Sequence, residues 1–174
     1  MLPLQAEYAP EWLQTHLTSE VGFAVLLGLC ILEGAMMLRF MPSELVVPAA
    51  IAIIGSSPPV VFVVVLIAVV GTTIGQALLF LIVRYLGREF IIESRWFPLN
   101  DDKLDRFDAW FEKWGAKAVP VSNTMLFVRG LLTVPAGLSD MDFRSFVVLS
   151  ALGSLSFQTI LAGIYLLGEQ VIVF

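Results

Sequence analysis

The sequence is poor in the residues on which most enzyme sites depend. Among 174 residues there is one His and one Cys. His16 lies in a polar N-terminal stretch and Cys30 in an apolar run, so neither a His-based metal site, nor a His-assisted nucleophile, nor an intrachain disulfide can be assembled. Phosphate-binding loops and dinucleotide motifs are also missing. We therefore expect a protein that is not an enzyme and that uses no cofactor or metal.

Charged residues are also scarce. They make up 14% of the chain, the net charge is -5 and 58% of the residues are hydrophobic, which gives a mean hydropathy of +0.88. A negative net charge argues against nucleic acid as a partner. The composition is that of an integral membrane protein, and the length fits one domain, residues 1–174.

Two long stretches are almost free of charge. Residues 60–83 contain none, and a second apolar run, 143–167, has none after Arg144. At about 1.5 Å per helical residue, each is long enough to cross the roughly 30 Å hydrocarbon core of a bilayer. The sequence therefore predicts an all-α protein with two transmembrane helices.

Two other apolar segments are interrupted near their middle. Residues 21–55 contain Glu33 and then a polar elbow at 39–44, and residues 118–138 contain Arg129. Charged groups are costly inside a bilayer, and irregular backbone survives there only inside protein or beside water. We therefore predict two re-entrant helical hairpins that enter and leave on the same side. The residues that shape their elbows are Pro42, Pro48, Pro135 and Gly137.

Between the two halves lies a basic connection. Residues 84–117 carry seven of the ten Lys and Arg residues, which predicts a cytoplasmic location. Within it, apolar residues at helical spacing predict an amphipathic interfacial helix: Leu104, Phe107, Phe111 and Trp114. A helix packed on the protein core is the alternative. Arg84 and Arg88 are interpreted as anchors for anionic lipids.

The order of these elements predicts an inverted repeat. Residues 21–83 and 118–168 would each form a hairpin followed by a transmembrane helix, in opposite orientations. Short internal matches agree with this order: VPAA at 47–50 corresponds to VPAG at 134–137, and the pair Gly71 and Gln76 corresponds to Gly153 and Gln158. Such matches also arise by chance in apolar sequence. Gln76 and Gln158 are interpreted as hydrogen-bonding links between helices.

Three motifs in this order resemble the DedA family, the prokaryotic relatives of the VTT-domain lipid scramblases. They are Pro-Ser-Glu at 42–44, GTTIGQALLFLIVRYLG at 71–87 and RGLLTVPAGLSDMDFRSF at 129–146. The third is the most specific, because it is similar to the family's Arg-Thr-x-x-x-x-Pro-Ala-Gly pattern and its later Met and Phe. The resemblance covers residues 33–168 and implies a multi-pass protein of the prokaryotic plasma membrane.

Two departures from the family pattern concern charge. Asn123 stands where the family has a second Arg, and Gln76 stands where it tends to have Asp. A cation and an anion are thus both replaced by neutral amides. If the two charged groups pair in relatives, the loss of one makes the other costly. This hypothesis predicts that positions 76 and 123 lie close together.

The resemblance implies a transporter, or flippase, of an anionic lipid, most specifically a polyprenyl phosphate, with proton coupling. The expected partners are this lipid, bilayer lipids and protons. Arg129 would bind the phosphate through its planar set of donors, together with Asn123 and Glu44. Glu44 and Glu33 would carry protons, because partial burial raises the pKa of a carboxyl group.

Other interpretations stay open. Arg129 and Glu44 could form a structural ion pair, and Glu33 could bond to a neighbouring hydroxyl. The protein could be a passive phospholipid scramblase or a membrane-homeostasis scaffold without transport, and a membrane phosphatase is the enzymatic alternative. The oligomeric state is not determined by the sequence, and a homodimer is one alternative.

Overall fold

The computed structural model describes residues 21–38, 43–93, 101–125 and 130–172. These parts are helical, and they contain no strand. In chain order the helices are α1 (Gly22–Gly34), α2 (Val46–Ile54), α3 (Pro58–Glu93), α4 (Asp101–Trp114), α5 (Ala118–Thr124), α6 (Thr133–Leu138) and α7 (Phe143–Ile172). Single 3-10 turns, Ser43–Leu45 and Gly115–Lys117, precede α2 and α5.

The structure contains two long helices that agree with the predicted membrane spans. Pro58–Glu89 within α3 and Phe143–Gly168 within α7 are long and apolar enough to cross a membrane. Each also has an open apolar face. On α3 the exposed side chains recur every fourth residue: Phe62, Leu66, Val70, Ile74, Leu78 and Ile82. A helix in the core of a soluble protein would cover such a face, whereas a lipid-facing helix leaves it open.

Each interrupted segment contains two short helices. In the first, α1 and α2 lie on either side of the elbow, and in the second α5 and α6 do so. Helices of six to thirteen residues are at most about 20 Å long at 1.5 Å per residue. The helices in these segments are therefore too short to span a bilayer individually.

Glycines allow the short helices to pack closely on the long ones. A Cβ on Gly75 would collide with the carbonyl oxygen of Ile31, and one on Gly71 would lie 2.7 Å from the Cβ of Cys30. Across the second pair, a Cβ on Gly153 would lie 2.8 Å from the Cα of Pro120. In both halves a glycine of the long helix thus lets the first short helix of that half, α1 or α5, approach its backbone.

Helix α3 extends further than the sequence indicated. Helical structure continues ten residues beyond the expected end at position 83, so Arg84 and Arg88 lie in helical segments on either side of Gly87 instead of in a loop. Gly87 interrupts the helical geometry with φ 77° and ψ -177°. This backbone conformation is readily adopted only by glycine.

The amphipathic helix α4 packs on the protein. Leu104 is fully buried beside Val83 and Val134, and Phe111 packs on the cluster that contains Phe80. Leu104 is therefore covered by protein, while Phe107 and Phe111 are only partly buried, so the interfacial location of α4 stays a prediction. Trp114, at the end of the stripe, stays 52% exposed.

Candidate functional site

The middle of the bundle contains a cluster of neutral polar side chains, here called the central amide cluster: Gln76, Asn123 and Ser150. Gln76 Nε2 donates to Asn123 Oδ1 at 3.0 Å, and Asn123 Nδ2 donates to Gln76 Oε1 at 3.0 Å. The hydroxyl of Ser150 also donates to Gln76 Oε1. All three side chains are at most 2% exposed.

This geometry confirms that positions 76 and 123 lie together. The two residues that depart from the family pattern bond to each other through both of their amide groups, so each satisfies a donor and an acceptor of the other. A buried amide that loses its partner costs about 1–3 kcal/mol. The cluster therefore joins α3, α5 and α7 without placing a charge among them.

The cluster also holds the backbone next to the predicted cation. The N–H of Gly130 donates to Asn123 Oδ1 at 3.2 Å, and a Cβ on Gly130 would lie 3.7 Å from Gln76 Nε2. Gly130 has φ 76°, a conformation that disfavours other residues. Arg129 itself lies outside the described residues, but its covalent neighbour is fixed by Asn123.

Glu33 lies near the C-terminal end of α1 and contacts α3. Its Oε2 accepts a hydrogen bond from the hydroxyl of Thr72 at 3.1 Å. Thr72 and Gln76 are four residues apart, so they occupy one face of α3, separated by roughly one helical turn. A carboxylate and the central amide cluster thus lie on the same side of α3, as the hydroxyl-bonded interpretation of Glu33 anticipated.

Glu44 lies in the 3-10 turn that leads into α2 and is partly buried. Within the parts of the chain that the structure describes, its side chain makes no hydrogen bond or ion pair. Its proposed contact with Arg129 stays a prediction, and Pro42 also lies outside the described residues. The structure therefore brings together Glu33, Asn123 and the neighbour of Arg129, but does not test the place of Glu44 among them.

The remaining predicted elbow residues lie inside short helices. Pro48 is the third residue of α2, and Pro135 is the third residue of α6. Both lie in the first turn, where the missing N–H has no helical partner to lose. Gly137 lies against α3, since a Cβ there would be 2.9 Å from the carbonyl oxygen of Phe80.

Arg84 binds the C-terminal end of α6, a role that the sequence did not reveal. Its guanidinium donates to the carbonyl oxygens of Gly137, Ser139 and Met141, and lies 4.5 Å from the ring centre of Phe80. These carbonyls lie in the last turn of α6 and just beyond it, where a cation is favourable. The interaction attaches the C-terminal end of α6 to α3, so this guanidinium is engaged with protein groups.

Arg88 connects α3 to the amphipathic helix α4. It forms ion pairs with Asp105 at 2.5 Å and with Asp108 at 2.7 Å. Burial raises the pKa of Asp108 from its usual value, and this effect outweighs the opposite influence of the Arg88 charge. Both arginines thus have protein partners, which the interpretation as lipid anchors did not foresee.

The fold and site define a helical membrane protein with a buried polar centre, and comparison with known proteins identifies its family. The model of the VTT domain matches residues 41–166. The chain belongs to this family, which includes the DedA proteins, and is a protein of the cell membrane.

Two transporters and an alkaline phosphatase-like protein are among the bacterial proteins similar to this chain. Undecaprenyl phosphate transporter A of Staphylococcus aureus is 29% identical over 149 residues, which cover 83% of this chain and 72% of that protein. Undecaprenyl phosphate transporter A of Bacillus subtilis is 33% identical over 119 residues, 67% of this chain and 60% of that protein. An alkaline phosphatase-like protein of Lactococcus lactis subsp. cremoris is 26% identical over 106 residues, 55% of this chain and 50% of that protein. No solved structure matches the chain significantly.

Proposed function

We propose that this protein transports an anionic carrier lipid, a polyprenyl phosphate, across the cell membrane. Membership of the VTT-domain family and the names of the two undecaprenyl phosphate transporters support this function. The observation that carries it in the structure is the buried polar centre of an otherwise apolar bundle. Polar groups at such depth are costly and are typical of a substrate pathway.

Arg129 would bind the phosphate of the lipid. A guanidinium matches two phosphate oxygens at once, and the elbow that carries it begins beside the central amide cluster. Asn123 would position this elbow through the N–H of Gly130. The apolar tails of the lipid would stay in the bilayer, against the open faces of α3 and α7.

Glu33 and Glu44 would carry protons. The amides of the central cluster do not ionise, so a dependence of transport on pH would have to arise from carboxylates near it. Glu33 bonds to Thr72, one turn along α3 from Gln76. Glu44 is free of protein partners within the described residues, which suits a group that exchanges protons with water.

Two re-entrant hairpins related by an inverted repeat would give this pathway access to both leaflets. Helices at most thirteen residues long on either side of each elbow support the hairpins. Gly71 and Gly153 support the repeat, because the sequence matches them to each other and each accommodates the short helix of its own half. Alternating access by one half moving against the other is the usual mechanism of such folds.

Lipid translocation in proteoliposomes tests the proposal. The wild-type protein should move a polyprenyl phosphate between leaflets, and Arg129→Ala should abolish binding of this lipid without unfolding the protein. Arg129→Lys should retain part of the binding, since it keeps the charge but loses the two-point geometry. Normal transport by Arg129→Ala would disprove the assigned role of this residue.

Glu44→Gln separates proton transfer from ion pairing. If Glu44 carries protons, the variant should fold and bind lipid, but its transport should no longer follow an imposed pH gradient. If Glu44 only pairs with Arg129, the unpaired cation should destabilise the protein by about 3–5 kcal/mol. A melting curve and a gradient assay on the same sample distinguish these outcomes.

The relatives with alkaline phosphatase-like names suggest a second candidate, a membrane phosphatase. Release of inorganic phosphate from the same proteoliposomes would identify this activity. Movement of phospholipids without a gradient would instead favour a passive scramblase. Folded protein that moves no lipid and releases no phosphate would favour a scaffold.

A further inference from the structure

Helix α7 has a buried polar face in the middle of the bundle. Ser150, Ser154 and Gln158 follow one another at intervals of four residues, so they lie on one side of the helix. Their exposed fractions are 0%, 0% and 2%. Over eight residues this face extends about 12 Å along the helix axis. Only its first residue, Ser150, belongs to the central amide cluster.

Helix α3 runs antiparallel to this face. Ser150 bonds to Gln76, and further along α7 Ala162 shares an apolar cluster with Val64 and Ala68 of α3. Increasing residue number on α7 therefore corresponds to decreasing number on α3. The segment of α3 just before Gln76 thus lies at the level of Ser154, and it contains the buried residue Thr73.

Three oxygen atoms in this region have no hydrogen-bonding partner among the described residues: Thr73 Oγ1, Ser154 Oγ and Gln158 Oε1. The three side chains are at least nine-tenths buried. Buried polar groups in native proteins are almost always bonded to protein or to ordered water, and leaving them without a partner is costly. Their number in one region indicates a shared ligand.

We propose that internal water binds between α3 and α7 at Thr73, Ser154 and Gln158, which we call the polar seam. Each buried water needs two to four polar partners, and the seam supplies hydroxyl groups that donate and accept together with an amide oxygen that accepts. No charge is present among the three side chains, so a neutral ligand fits them.

The polar seam begins one helical turn from the central amide cluster and ends at the apolar side chains around Ala162. Its water would lie in the interface between the two long helices, beside the central amide cluster. If the protein moves a lipid phosphate as proposed above, this water lowers the cost of bringing an anionic group past the cluster. That role depends on the proposed function, whereas the water site itself does not.

Nuclear magnetic resonance of the 15N-labelled, deuterated protein in nanodiscs tests the water site directly. The side-chain amide of Gln158 should show nuclear Overhauser cross-peaks at the water frequency, because the bound water lies beside it. Their sign distinguishes dipolar contact from chemical exchange. The backbone amide of Ala162, one turn further along the same helix and surrounded by apolar groups, is the matched control and should show none. A folded protein without the Gln158 cross-peak would overturn the proposal.

A shape-conserving pair of substitutions, Thr73→Val and Ser154→Ala, removes two of the three water partners. The double variant should fold and lose the Gln158 cross-peak. A retained cross-peak would show that the water does not bind at these hydroxyls and would overturn the site. Melting curves in sodium and potassium chloride check the ligand, since stabilisation by sodium alone would assign a cation to the seam in place of water.

Translocation by the same double variant tests the role of the water. It should bind polyprenyl phosphate as the wild type does but move it more slowly. An unchanged rate would remove the seam from the pathway. A wild-type protein that moves no lipid would refute the proposed function, while the resonance measurement would still decide the water site.

Discussion

The two halves of the chain use the same packing device with different chemistry. In both, a glycine of the long helix accommodates the preceding short helix: Gly75 meets α1 in the first half, and Gly153 meets α5 in the second. In the first half, α1 presents the carboxylate of Glu33 to the long helix. In the second half, α5 presents the amide of Asn123. Both halves therefore bring a short helix close to the backbone of a long helix. They differ in the polar side chain that the short helix contributes there.

This difference shows how the halves are connected. Gln76 of the first half bonds to Asn123 and Ser150 of the second, so the junction consists of reciprocal neutral hydrogen bonds. Glu33 stays beside the junction and bonds to Thr72 within its own half.

The largest effect is expected from placing charges at the junction. Gln76→Asp alone and Asn123→Arg alone each bury a charge without its family partner, and each should destabilise the protein by about 3–5 kcal/mol. The double variant places both charges at these adjoining positions, where they can pair, and should recover a large part of this loss. Melting temperatures of the four proteins in one detergent measure the coupling. Additive losses in the double variant would contradict the pairing of positions 76 and 123.

A smaller but still large effect is expected from the glycines at which the long helices contact α1 and α5. Gly75→Ala and Gly153→Ala introduce a Cβ that meets the backbone of α1 or α5, so each should cost about 1–3 kcal/mol or more. Thermal unfolding of both variants shows whether the halves depend equally on close approach. The matched control is Gly163→Ala in α7, where a Cβ meets nothing within 4 Å. It should be neutral or stabilising by about 0.5–1 kcal/mol.

The smallest effect is expected in the connection between the halves. Burial raises the pKa of Asp108, so the folded protein holds this proton to a higher pH than the unfolded chain. Stability from this group therefore falls as pH rises between the usual and the raised pKa. Asp108→Asn should abolish this contribution and change stability at neutral pH by less than about 1 kcal/mol. Melting curves at several pH values, with Asp105→Asn as control, measure it; an unchanged pH dependence would contradict the assignment.

Much of the fold follows from patterns within short stretches of sequence. Absence of charge predicted α3 and α7, the proline and glycine positions predicted the interrupted segments, and the spacing of Leu104, Phe107 and Phe111 predicted α4. Such patterns identify an apolar face but not the surface that covers it. The sequence therefore could not show whether protein or lipid covers α4. The tertiary structure was needed to show that Leu104 packs on protein.

Of the site, only the contact between positions 76 and 123 could be predicted, because both residues depart from the DedA family pattern. The neutral replacements at positions 76 and 123 indicated a contact, and the structure confirms it. Ser150 gave no such signal, because a serine in an apolar helix is common and its partner is 74 positions away in the chain. Arg84 was also missed, because its acceptors are backbone carbonyls, which look the same in every sequence.

The break at Gly87 has a mechanical consequence. A continuous α-helix transmits bending along its axis, but the backbone at φ 77° and ψ -177° interrupts the hydrogen-bonded rod between Arg84 and Arg88. Arg84 binds the end of α6 ahead of the break, while Arg88 binds α4 after it. Rotation at Gly87 would therefore change the angle between the membrane span and the segment that pairs with α4, and the packing of Leu104 against Val83 and Val134 opposes that rotation.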